Sequence, residues 1–166
     1  NCIGCDGRGL AAQVASKLPY ACSYRDRRCM PGKRFAREGD RACPGTIDVR
    51  KPKADGTGPV VINCFAQWEM GPALKYNRIP APEGVSDSKE QRERWFADCL
   101  HAIGRMKPLP ASIAFPEKIG CGLAGGIWKN YEAMIGAFAK SHPECKVKIV
   151  RWTGGGGGQA SGLGRG

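Results

Sequence analysis

Ser112-Ile113-Ala114-Phe115-Pro116 leads into Ile119-Gly120-Cys121-Gly122-Leu123-Ala124-Gly125-Gly126, and an amphipathic stretch begins straight afterwards. A short apolar strand, a turn whose glycine amides have no side chains in front of them, and a helix start together make a site suited to an anion, phosphate above all. Strand and helix patterns alternate along the rest of the chain, and that order implies an α/β layered sheet with helices on both faces. In such sheets ligands bind beyond the C-terminal ends of strands, at loops that lead into helices. A second loop has that position and composition: Gly4-Cys5-Asp6-Gly7-Arg8-Gly9 runs from Asn1-Cys2-Ile3 into the first helical pattern.

Periodicity fixes the expected elements. Leu10, Val14 and Leu18 recur every four residues beside small Ala11 and Ala15, so residues 8–18 are expected to form a closely packing helix stopped by Pro19. A second short helix is expected over 20–29. Residues 46–51 and 59–66 read as two strands joined around Asp55-Gly56. Residues 68–85 read as an irregular surface loop. Asp87 and Glu90 have capping-box spacing ahead of Trp95, Phe96, Cys99, Leu100 and Ile103, a helix expected to end near Met106. A buried strand is expected over 111–115, a helix carrying Ile127, Tyr131, Met134, Ile135 and Phe138, and a last strand over 146–152. One domain over 1–152 and a low-complexity glycine tail over 153–166 follow.

The 166 residues suffice for one domain with a real core. Asn1-Cys2-Ile3 reads like the end of a strand, and the chain is taken as a fragment. No apolar run reaches membrane-span length and no signal-peptide layout opens the chain, so a cytoplasmic or nuclear setting and no membrane contact are expected. The nine cysteines are odd in number and irregularly spaced, with Cys64, Cys99 and Cys121 in apolar segments, and are read as mostly reduced. The excess of 26 basic over 15 acidic residues predicts attraction to polyanions. Arg25, Arg27, Arg28, Lys33, Arg34, Arg37 and Arg41 form its densest cluster, a basic surface for RNA or another polyanion. Only Phe35 interleaves residues 25–41, fewer aromatics than a single-strand binder uses as stacking platforms.

Rival readings of the second glycine loop fail on particular residues. The dinucleotide fingerprint is met literally, but residues 116–119 separate it from the strand and the acid due after the next strand is absent. A P-loop needs Lys and Ser or Thr where Ile127-Trp128 stand. A thiol phosphatase needs an arginine six residues after Cys121, again at Ile127. Cys121 is therefore read as a packed or backbone-positioning residue. Cys2 and Cys5 have the gap of a zinc knuckle, with Cys22, Cys29 and Cys43 available, but no second tight pair exists. Neither a metal nor a cofactor is expected.

Asn1-Cys2-Ile3 with Gly7-Arg8-Gly9-Leu10-Ala11, then Val61-Ile62-Asn63-Cys64-Phe65-Ala66-Gln67, then the strand and glycine run with Trp128, resemble a macro domain. The branch resembled contains ADP-ribose-1-phosphate phosphatases and ADP-ribosyl-glutamate hydrolases. The resemblance implies a three-layer sandwich, a mixed central sheet between helices, with ADP-ribose or an ADP-ribosylated protein as partner of a monomer. It implies that Gly7, Gly9, Leu10 and Ala11 line the first ligand loop and that Asn1 reaches toward the distal ribose. Ile119, Gly120, Cys121, Gly122, Leu123, Ala124, Gly125 and Gly126 would wrap the diphosphate. From the residues themselves, Arg8 could neutralise a terminal phosphate or point into solvent, Gln67, ranked above Asn63, could bind ribose hydroxyls, and the Arg25–Arg41 cluster could take poly(ADP-ribose) as well as RNA. The aspartate that reads adenine in the family would lie upstream of Asn1. Glutamate-specific relatives carry an aspartate where this chain has Ala124, and others an acid where it has Ile127. The catalytic candidates beside the loops are Asp6, Glu117 and the backbone amides, with Asp6 read as a base acting through water, or as a turn residue capping the first helix.

Overall fold

The computed structural model describes residues 1–52, 54, 56–82 and 84–151. Asp55 of the expected turn, Trp152 and the glycine tail lie outside the described residues. Among the described residues the chain is a mixed α/β structure with three α-helices, α1 (Leu10–Lys17), α2 (Lys89–Gly104) and α3 (Trp128–Ser141), and four strands, β1 (Ile47–Arg50), β2 (Val61–Cys64), β3 (Ser112–Pro116) and β4 (Lys146–Val150). Among the described residues the strands form two separate pairs: β1 and β2 antiparallel, Ile47 opposite Cys64, and β3 and β4 parallel, Ser112 opposite Lys146. The parallel pair is joined through α3, as a parallel connection requires.

Two apolar cores explain this arrangement. One gathers Phe96, Leu100 and Ile103 of α2, Phe115 of β3, and Tyr131, Ile135 and Phe138 of α3, with Ile47 and Ile62 of the antiparallel pair against it. The other collects Cys2, Ile3, Phe35, Phe65, Trp68 and Trp95. Helix α2 faces both, because its apolar positions spread around more than one stripe. Its cap is Ser88, whose hydroxyl accepts from the Gln91 amide at 3.1 Å. The box sits one residue later than expected, since Asp87 is drawn inward instead.

Other local expectations need correction. Helix α1 buries none of its residues, so its small alanines do not mark close packing. Pro19 opens a short 3-10 turn (Pro19–Ala21), and no α-helix follows over 20–29. Asn1-Cys2-Ile3 is not a strand, although the Cys2 amide reaches the Gln67 carbonyl at 2.9 Å and the Ile3 carbonyl takes the Ala36 amide at 2.8 Å. The last strand stops at Val150. Cysteine chemistry is mixed: Cys5 and Cys29 form a disulfide, while seven cysteines are free. No described helix is long and apolar enough to cross a membrane.

Candidate functional site: two glycine loops and a buried arginine

The loop from Ile119 to Gly126 lies between the C-terminal end of β3 and the start of α3. It is closed by its own backbone: the Ile119 amide reaches Pro116 O at 3.1 Å, Cys121 reaches Lys118 O at 2.9 Å, Gly125 reaches Gly122 O at 3.0 Å and Gly126 reaches Gly120 O at 3.1 Å. The Tyr131 ring fills the inside of the turn. A Cβ at Gly120, where φ is +73°, would stand 2.7 Å from that ring, and one at Gly126 would stand 2.6 Å from the Gly120 carbonyl. Those glycines are demanded by packing. Gly122 is different, since a Cβ there meets nothing within 4 Å. The amides of Gly122, Leu123 and Ala124 have no acceptor among the described residues. They form the open part of the cradle.

The first loop is held from outside. The Arg27 guanidinium donates through one nitrogen to the carbonyls of Asn1, Cys2 and Gly4 at 3.2, 3.0 and 2.7 Å, and it lies over the rings of Tyr24 and Phe65. The Cys5 amide reaches Arg34 O at 3.1 Å, Gly4 bridges to Phe35, and the disulfide ties Cys5 to Cys29 with the Cα atoms 5.9 Å apart. Gly9, at φ +56°, turns the chain into α1, whose start has no side-chain cap. Asp6 is thus not the cap. Its carboxylate stands 3.6 Å from Arg34, and one of its oxygens is buried with no hydrogen-bond partner among the described residues.

The two loops meet: a Cβ at Gly9 would lie 3.6 Å from Leu123 Cδ1. Leu123 is exposed, as are Arg8, Gly9, Leu10 and Ala11, whereas Gly7 is half-buried against Ala11. Asn1 turns its amide oxygen onto the Gly4 amide at 2.6 Å, and Gln67 spends its amide nitrogen on Glu69 O at 3.0 Å. Asn63 donates to Ala21 O at 3.0 Å. Trp128 packs against the first core. Burial and the nearby Glu93 carboxylate push the Cys121 thiol above its usual range, and it donates to Ile119 O at 3.3 Å. A thiol protonated at neutral pH is a poor nucleophile. Burial likewise pushes the Tyr131 hydroxyl up to about 12. Glu117, another carboxylate near the loop, is held by Arg151 across the ends of the parallel pair at 2.9 Å.

A third segment adjoins the cradle. Residues 68–79 make an Ω-like loop, closed where Trp68 Nε1 donates to Ile79 O at 2.9 Å and where Arg78 pairs with Glu69. It is irregular as the composition implies, but its base is buried, with Trp68 and Glu69 at 6% and 1% exposure. A Cβ at Gly125 would stand 3.7 Å from Pro72. Beneath lies Arg92, paired in parallel with Asp87 (Nε to Oδ1 2.7 Å, Nη2 to Oδ2 2.6 Å) and donating to the carbonyls of Glu69, Gly71 and Ala124. Sequence reasoning gave Arg92 no role, read Asp87 as a helix cap and read Arg27 as part of a basic surface. A signal for Arg92 existed: it precedes Trp95, Phe96 and Cys99 by three, four and seven residues, a charge inside an apolar helical stripe.

The basic cluster is less free than its count implies. Arg28 forms a two-pronged pair with Asp40 at 2.8 Å, which holds that carboxyl well below the usual carboxylate range. Arg34 faces Asp6, Arg41 donates to Ala36 O, and Arg27 is built into the first loop. Two open depressions lie outside the glycine turn: one is on α1 at Ala12, Gln13, Ser16 and Lys17. The other is at Ser23, Arg27 and Phe65, where Asp26 and Asp48 already pair with Arg50. Among the described residues no group of three or more His, Cys, Asp or Glu is placed to hold a metal ion. No family model, curated protein or solved structure matches the chain significantly.

Proposed function

We propose that the chain is a macro-type module, built on a three-layer α/β plan, that binds ADP-ribose or a derivative such as ADP-ribose-1-phosphate or an ADP-ribosylated protein. The observation that carries this reading is the meeting of two glycine loops, each opening a helix, with the Gly122, Leu123 and Ala124 amides free to donate. Such amides bind phosphate oxygens, and the partial positive charge of the α3 start adds to them. Two loops in contact suit a diphosphate better than a single anion. The pairing of Arg27, Arg28 and Arg34 within the fold speaks against a basic RNA-binding surface as the main function.

For chemistry the chain offers Asp6. Its carboxylate takes a proton from water as that water attacks the terminal phosphorus; the bond from phosphorus to the ribose oxygen breaks, ADP-ribose leaves on that oxygen, which takes up a proton from solvent, and the loop amides stabilise the charge gathering on the phosphoryl oxygens. Removal of ADP-ribose from glutamate is expected to be weak or absent, because Ala124 and Ile127 stand where relatives carry acids. The deciding experiment is calorimetric titration of the chain with ADP-ribose, alongside Gly122→Val. The space around Gly122 lets that variant fold while its side chain obstructs the phosphate. Equal affinity in a folded Gly122→Val protein sinks the placement of the diphosphate, and absence of binding in the parent sinks the reading. Phosphate release from ADP-ribose-1-phosphate is expected to fall at least tenfold in Asp6→Asn. Turnover that survives the change removes Asp6 from the mechanism.

A further inference from the structure

Arg92 is 3% exposed, on a helix that does not enter the cradle, and it uses every donor it has. A guanidinium carries five N–H bonds. Here Nε and one Nη2 hydrogen serve Asp87, the other Nη2 hydrogen serves Glu69 O at 3.1 Å, and the two on Nη1 serve Gly71 O at 2.7 Å and Ala124 O at 3.2 Å. Asp87 is filled as well: besides Arg92 it accepts the Trp68 amide at 3.2 Å and the Glu69 amide at 3.0 Å. Neutralising Asp87 needs only the two-pronged pair. The remaining three bonds run to two segments about fifty residues apart in sequence, and Nη1 alone joins them.

We propose that Arg92 is a positioning residue that makes the glycine turn and the 68–79 loop one unit. Its grip on Ala124 O orients the peptide that follows the free amides of residues 122–124. Its grip on Gly71 O sets the neighbouring loop at a fixed distance, with Pro72 against Gly125 and the exposed Leu74 and Tyr76 carried beyond it. A ligand on the turn is therefore felt by the loop, and the loop shapes what can be attached to that ligand. Lysine at position 92 would keep the charge beside Asp87 but offers three donors from one point and no planar fork, so it cannot span the carbonyls of Glu69, Gly71 and Ala124.

The coupling is tested first on the unaltered chain, without ligand. Nitrogen-detected NMR of Arg92 should show Nη1 and Nη2 as separate signals whose exchange is slowed by five simultaneous bonds; averaged signals overturn the proposal even if no variant can be made. Arg92→Lys then separates positioning from mere charge balance. Exchange of the bonded amides should speed up at least tenfold at Glu69 and at Gly125 and Gly126 together, with residues 131–138 of α3 unchanged. Loosening of one segment alone, or of neither, overturns it. The consequence for ligand rests on the ADP-ribose reading: affinity is expected to fall at least tenfold in Arg92→Lys, and unchanged affinity despite joint loosening refutes the positioning role. If the parent does not bind ADP-ribose, that reading falls while the guanidinium signals and the exchange pattern still decide the coupling.

Discussion

The two glycine loops reach the same place by opposite means. The turn at 119–126 is closed by four of its own backbone hydrogen bonds around Tyr131, a residue only a few positions downstream. The loop at residues 4–9 is fixed by groups about 20 to 30 residues away: Arg27 on the Gly4 carbonyl and on those of Asn1 and Cys2 just before it, Cys29 in a disulfide, Arg34 and Phe35 through the backbone. Self-closed turns leave their logic in the local sequence. Loops held by distant partners do not, because their conformation is a property of those partners.

The largest test of this contrast is Arg27→Ala. It strands three carbonyls and removes a cation from two rings, and a loss of about 3 kcal/mol in urea unfolding is expected together with disruption of the first loop. Arg27 thereby belongs to the scaffold of the first loop, apart from the exposed arginines of its cluster. A stability change under about 0.5 kcal/mol would put the first loop on the same self-sufficient footing as the second.

Next comes the disulfide. Cys5→Ser removes a crosslink across a separation of 24 residues, and loop-closure entropy sets the expected loss at about 3 kcal/mol under oxidising conditions. The same substitution measured in excess reductant should cost little. Equal stability of parent and variant in both conditions would show that the crosslink contributes nothing to holding residues 4–9.

Within the second loop, Gly120→Ala and Gly122→Ala should part company. The first forces a side chain into left-handed backbone against Tyr131 and is expected to cost about 2 kcal/mol. The second enters open space and should stay within about 0.5 kcal/mol. Similar losses at both sites would mean that Gly122 is also packed.

The effect that is smallest at neutral pH grows only in alkali. Burial raises the Cys2 thiol, beside the first loop, from 9.0 to about 12, and the Tyr131 hydroxyl, under the second, from 10.0 to about 12. The fold keeps both protons after the unfolded chain has released them, so stability is unaffected below pH 9 and declines upward to pH 12. The slope is about 1.4 kcal/mol per pH unit for each group. Because the Cys99, Cys121 and Cys145 thiols are raised as well, Cys2→Ala should leave the onset near pH 9 and lower the slope above it by about 1.4 kcal/mol per pH unit in a pH series of unfolding curves. A slope that does not change removes Cys2 from the account.

Sequence alone determined the elements whose signals are local: the strands at 47–50 and 61–64, the long helix from its apolar face, the β3 and α3 pattern, and the glycine turn between them. It misplaced the α2 cap by one residue, because Asp87 and Ser88 both suit a cap and only burial beside Arg92 decides between them. It overestimated helix at 20–29 and close packing at α1, where propensity met no partner surface. Only the tertiary structure decided that four strands form two pairs, that Cys5 finds Cys29, and that Arg27 and Arg92 spend their charges on carbonyls of loops far away in sequence. The physical reason is range. Turn closure and helix periodicity act over three or four residues and are written in adjacent letters, whereas the partner of a buried guanidinium is chosen by where the whole chain leaves carbonyls without donors.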